Sequence, residues 1–144
     1  MMRWCMGTIG IMGMLLVGFV LVYYGENTSS PMLVMADTYY SVEVAKTRQE
    51  QERGLGDRDE LCEHCALLFL FPEKSIRGFW MKNMRFPIDI IWLVDQTVVH
   101  IEREVAYDSP LVYFPPVQAN RVIEVNAGEA TLVQVGDTIF FNNR

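Results

Sequence analysis

The chain has 144 residues, 51% hydrophobic and 21% charged, with a formal net charge of −6. That length leaves room for one hydrophobic core and excludes a second domain of ordinary size, while the apolar content excludes a disordered chain. A pI near 4.8 without clustered Lys and Arg excludes a nucleic-acid surface, because phosphate neutralisation needs a basic patch.

Residues 4–24 run from Trp4 to Tyr24 without a charge, and Arg3 precedes them. At about 1.5 Å per residue such a helix spans the roughly 30 Å hydrocarbon layer of a bilayer. A cleavable signal peptide has a shorter apolar stretch, and the nearest small-residue site, Val34-Met35-Ala36, lies well beyond Tyr24. The sequence therefore predicts an uncleaved, single-pass membrane anchor over residues 1–25, with the lipid bilayer as partner through residues 4–24. Arg3 keeps the N-terminus inside, Trp4, Tyr23 and Tyr24 sit at the interfaces, and the rest of the chain faces outside the cytoplasm. Residues 26–38, opening with Glu26-Asn27-Thr28-Ser29-Ser30-Pro31, read as a linker, and residues 39–144 as the extracytoplasmic domain.

Tyr39 to Ala45 alternates apolar and polar positions, as a half-buried strand does. Thr47-Arg48-Gln49-Glu50 forms a capping box and starts a short helix that ends at Gly54 or Gly56. Ala66 to Phe71 is a continuous apolar run, stopped by Pro72, that fits a strand buried on both faces. Gly78 to Met81, Ile88 to Val94 and Thr97 to Val105 read as further strands, the last two joined by a hairpin at Asp95-Gln96. Asp108 to Pro116 is irregular, and Arg121 to Ala127 and Thr138 to Phe141 complete the set. Six or seven short strands with one or two short helices predict an α+β domain, mainly β, built as a compact barrel or sandwich.

The blocks Arg53-Gly54-Leu55, Leu68-Phe69-Leu70-Phe71, Phe79-Trp80-Met81-Lys82-Asn83, Pro87-Ile88-Asp89-Ile90, Glu124-Val125-Asn126-Ala127-Gly128 and Gly136-Asp137 occur in that order. Together they resemble a widespread prokaryotic family of exported proteins known as domain of unknown function 192, over about residues 41 to 141. The resemblance implies a small, mainly β domain, secreted or membrane-anchored, with no established activity. Gly56, Ala66-Leu67 and Met84 depart from the residues usual in that family.

The FWMKN segment combines an apolar plane with directed polar groups, as a ligand site requires. Trp80 brings a flat face and an N–H, Lys82 a positive charge, Asn83 a donor and an acceptor, and Asp89 a carboxylate nearby in the chain. These four, with Arg53 at the helix end, are the candidate contacts for a small anionic or sugar-like ligand. The structural alternative buries Phe79, Trp80 and Met81, pairs Lys82 with Asp89, and uses Asn83 to cap a turn. Cys62-Glu63-His64-Cys65 can close a small disulfide loop in an oxidising exterior. A zinc site would need further ligands, and the other histidine is the distant His100. A redox catalyst would place the cysteine pair at a helix N-terminus, whereas a strand follows here. No cofactor is implied. The leading expectation is a non-catalytic small-ligand-binding module, beside a cell-envelope interaction or accessory protein and a thiol-redox enzyme using Cys62 and Cys65.

Overall fold

The computed structural model describes residues 31–142. The anchor expected over residues 1–25 lies outside the described residues, among which no helix is long and apolar enough to cross a membrane. The elements are β1 Met32–Met35, β2 Thr38–Ala45, α1 Arg48–Arg53, β3 Cys65–Ser75, β4 Phe79–Trp80, β5 Ile88–Val94, β6 Thr97–Val105, β7 Val112–Tyr113, β8 Ala119–Asn126 and β9 Phe140–Asn142.

Seven strands form one curled sheet in the order β6-β5-β8-β3-β2-β1-β9, a half-barrel, and β4 pairs with β7 in a small second sheet. The mainly β architecture expected from the strand spacing is present. β2 and β3 are parallel, the crossover between them carrying α1, and the remaining pairs are antiparallel. The segment before β9 curls back towards β6. Gly136 N–H donates to the Val98 carbonyl at 2.8 Å, Val98 N–H to Asp137 at 2.9 Å and Ile139 N–H to Gln96 at 2.8 Å.

Both faces of the sheet are covered, and this explains the unbroken apolar runs in β3 and β5. Successive side chains of a strand point to opposite faces. Ala66, Leu68, Ile91, Leu93, Ile123 and Val125 therefore fill one core with Leu33 and Met35. Leu67, Phe69, Ile88, Ile90, Trp92 and Val122 fill another with Leu55, Met81 and Met84. The fully buried Trp92 anchors this second core, and α1, the following loop and β4 lie over it.

Three local features differ from the sequence expectation, the first being that Val112–Tyr113, inside the stretch read as irregular, is β7 and pairs with β4. Met32–Met35, inside the stretch read as linker, is a strand that pairs with β2 and β9 and buries Leu33 and Met35. Four residues beside a turn-rich tract carry too little periodicity to stand out. β3 also continues past Pro72 to Ser75, because its register with β8 shifts between Leu70 and Ser75. A proline in that irregular stretch removes no regular ladder bond.

α1 is set by its caps. The Thr47 hydroxyl accepts from Glu50 N–H at 3.1 Å while Glu50 Oε2 accepts from Thr47 N–H at 2.8 Å. Gly54, at φ 55°, ends the helix and donates its N–H to the Glu50 carbonyl. The chain then turns so that Leu55 enters the second core.

Candidate functional site

The C-terminal half of α1, the end of β3, and β4 enclose a hollow of about 320 Å³ over the second core, floored in part by Glu124 and Met84. Its wall contains Phe71, Phe79 and Trp80, with Arg48, Glu52, Arg53 and Arg77 around them. Phe79 is fixed by edge-to-face packing on Phe69 at 5.0 Å and Trp92 at 5.7 Å between centroids. Its neighbour Trp80, on the other side of the two-residue strand, is 50% exposed. The wall thus joins a rigid aromatic plane to an accessible one.

Glu124 is the chemical centre of this hollow. It lies in the middle of β8, opposite Leu67 of β3 and Ile90 of β5, on the same face as Val122. It is 5% exposed, and its Oε2 has no hydrogen-bond partner among the described residues. An orphaned oxygen in an apolar layer is costly unless the carboxyl is neutral or finds a partner. Burial pushes its pKa up to about 8, against the opposing pull of the Leu55 N–H and the Arg58 guanidinium. At neutral pH the carboxyl is therefore mostly protonated and able to donate a hydrogen bond.

The surrounding cations differ in their partners. Arg48 pairs with Glu52 one turn on, at 2.7 Å, and Arg58 holds Glu43 through two bonds of 2.8 and 2.9 Å. Arg77 lies over the Phe71 ring at 4.1 Å and donates to the carbonyls of Glu73 and Ala119, at 3.0 and 3.4 Å. Among the described residues neither Arg77 nor Arg53 pairs with a carboxylate.

Of the residues singled out in the sequence, Trp80 and Arg53 line this hollow. Lys82 and Asn83 line an adjoining one of about 230 Å³, which shares Glu52 and Arg53 with the first. Asn83 takes a left-handed turn, φ 60°, and its carbonyl accepts from Asp57 N–H at 2.9 Å. The expected burial of Trp80 in the alternative arrangement does not occur.

Asp89 belongs elsewhere. It is fully buried on the opposite face of the sheet and accepts from the backbone N–H groups of Glu104 at 2.7 Å, Gly128 at 3.0 Å and Ala130 at 2.9 Å. It neither pairs with Lys82 nor faces Trp80, because odd and even positions of β5 serve different cores. Its chemistry is that of a structural clamp on the turn after β8.

Cys62 and Cys65 form a disulfide with Cα atoms 5.3 Å apart. Cys65 opens β3, so no helix dipole favours a thiolate there. The Asn126 side chain steadies this loop by donating to the carbonyls of Leu61 and Cys62, at 3.1 and 3.2 Å. His100 contacts Glu102 at 2.9 Å. No group of three or more metal-ligating side chains occurs among the described residues.

Glu124, Arg77 and Phe71 are the site residues that the strand patterns did not single out. The available signal was a lone carboxylate flanked by Val122, Ile123 and Val125, in a strand apolar on both sides.

A family model described as "Uncharacterized ACR", domain of unknown function 192, matches residues 32–141. A search of curated proteins finds no match. Two crystal structures are similar. One, from Sinorhizobium meliloti 1021 and described provisionally as a transcription regulator, has TM-score 0.71 and 26% identity, covering 77% of this chain and 91% of that one. The other, a protein of unknown function from Novosphingobium aromaticivorans DSM 12444, has TM-score 0.68 and 28% identity, covering 76% of this chain and 82% of that one.

Proposed function

The chain belongs to the family of domain of unknown function 192, and we propose that it is a membrane-anchored, extracytoplasmic module that binds a small ligand without transforming it. The observation that carries this is the buried Glu124 carboxyl, with an oxygen that has no partner among the described residues, beside a hollow of about 320 Å³. A cavity of that size, with apolar walls and a few converging polar groups, has the composition of a small-molecule site. Trp80 and Phe79 supply the apolar surface, Arg53 and Arg77 the charge, and Glu124 a neutral donor.

The hollow offers no nucleophile and base pair, so binding is favoured over catalysis. Thiol exchange is disfavoured by the position of the disulfide at the start of a strand. Transcription regulation is not carried over from the Sinorhizobium structure, because a net charge of −6 gives DNA phosphates little to bind. An anchor over residues 4–24 holds the domain at the outer membrane–water boundary.

A second reading, docking of a cell-envelope protein, draws on the exposed Leu111, Val112 and Phe114 around β7. Titrating the full chain in detergent micelles with a library of small anions and sugars separates the two. Binding that Trp80→Ala weakens and Leu111→Ser leaves intact supports the module; no binding by any compound favours the docking surface.

A further inference from the structure

We infer that the hollow takes a small organic anion with a flat apolar body, its charged end on the guanidinium groups of Arg53 and Arg77 and its body against Trp80 and Phe79, with the Glu124 carboxyl donating a hydrogen bond to it. The choice of anion presupposes that the hollow is a ligand site and goes further, selecting among ligand classes.

The charges around Glu124 decide the class. From α1, Arg48 and Glu52 neutralise one another at 2.7 Å. From the loop after α1, Arg58 is held by Glu43 of β2. Arg53, in the last turn of α1, lies near enough to Glu43 and Glu50 to lower the pKa of both carboxyls but forms no ion pair with either, and Arg77, between β3 and β4, is not paired with a carboxylate among the described residues. A neutral Glu124 adds no negative charge. The hollow is thus locally positive on a molecule whose net charge is −6, and such a field concentrates anions and repels cations. A guanidinium presents a planar fork that matches a carboxylate, whereas a neutral sugar leaves Arg77 without a carboxylate partner and Arg53 with only the non-bonded carboxylates of Glu43 and Glu50.

The orphaned Oε2 of Glu124 adds a second criterion. While protonated, the carboxyl can donate to an oxygen of a ligand held in the hollow that it lines. Once ionised it repels that oxygen. Burial sets the exchange between the two forms at about pH 8. A bound anion favours the protonated form further, so binding and proton uptake are coupled.

The test uses the full chain in detergent micelles and two probes of the same shape, benzoate and uncharged benzamide, followed by calorimetry and by the Trp80 indole N–H resonance. Benzoate is expected to bind at least about tenfold more tightly than benzamide near pH 6, and to weaken about tenfold or more by about pH 10. Arg53→Gln is expected to weaken benzoate about tenfold at both pH values. Glu124→Gln, which cannot ionise, should hold the ratio of affinities at the two pH values within about twofold. Benzamide binding as tightly as benzoate would overturn the anion and leave the hollow a ligand site. Neither probe moving the Trp80 resonance would overturn both.

Discussion

A β-carbon placed on Gly54 would come 3.3 Å from Oε2 of Glu124 and 3.6 Å from the Phe69 ring. The end of α1 therefore approaches the buried carboxyl closely enough that only a residue without a side chain leaves it undisturbed, and φ at Gly54 is +55° besides. The Arg53-Gly54-Leu55 block is local wiring for the hollow: the arginine at its rim, the glycine against the carboxyl, the leucine in the core below.

Gly54→Ala is expected to destabilise the fold by about 1–3 kcal/mol, from backbone strain together with the contact on Glu124. Gly128 is the control. It also has positive φ, +89°, but a β-carbon there would meet nothing within 4 Å. Urea denaturation of both alanine variants separates the two contributions, and equal losses would show that the Glu124 contact has no effect.

Stability should fall with rising pH through Glu124. Its pKa is raised in the folded state to about 8 from an ordinary 4.5, so between those values the folded chain holds a proton that the unfolded chain has released. The contribution is complete below about pH 4.5 and is lost as pH rises to about 8, at most on the order of 1 kcal/mol per pH unit. Glu124→Gln should flatten that part of the stability profile. Identical profiles for the two proteins in chemical denaturation would show that Glu124 does not titrate there.

Asp89→Ala should cost about 3–5 kcal/mol, since it leaves the buried N–H groups of Glu104, Gly128 and Ala130 without their acceptor. Asp89→Asn keeps an acceptor oxygen and should cost less. Because Asp89 lies on the far face of the sheet, neither change should alter ligand affinity in protein that remains folded. Comparison of urea midpoints with benzoate titrations checks both halves of that expectation.

Replacing Cys62 and Cys65 by serine should remove about 2 kcal/mol, the chain-entropy value for so short a loop. The disulfide borders a different hollow from Glu124, so binding should persist in the double variant. Loss of binding at full folding would place the disulfide in the ligand site.

The strands were legible where periodicity and turn residues agreed: Ile88 to Val94 and Thr97 to Val105 coincide with β5 and β6, and Asp95-Gln96 is their turn. The capping box at Thr47 and the stop at Gly54 were equally local and equally readable. β1 was not, because its two buried side chains acquire their role only through pairing with β2 and with the distant β9. Residue type marks Trp80 and Arg53, which line the hollow, whereas proximity in sequence does not reveal which sheet face the carboxylate of Asp89 serves. Glu124 opens one of the family blocks, but nothing in the strand pattern marks it as part of the hollow. Its neighbours in space, Gly54 and Phe79, are far from it in the chain, and only the sheet order brings them together.

The most direct measurement is the ¹³C titration of the Glu124 carboxyl in the full chain, with and without benzoate, assigned by its loss in Glu124→Gln. A midpoint at about 8 in the free protein, moving higher when benzoate saturates the hollow, is the result expected of a protonated donor that meets an anionic ligand. A midpoint in the ordinary carboxylate range, with a resonance indifferent to benzoate, would contradict it.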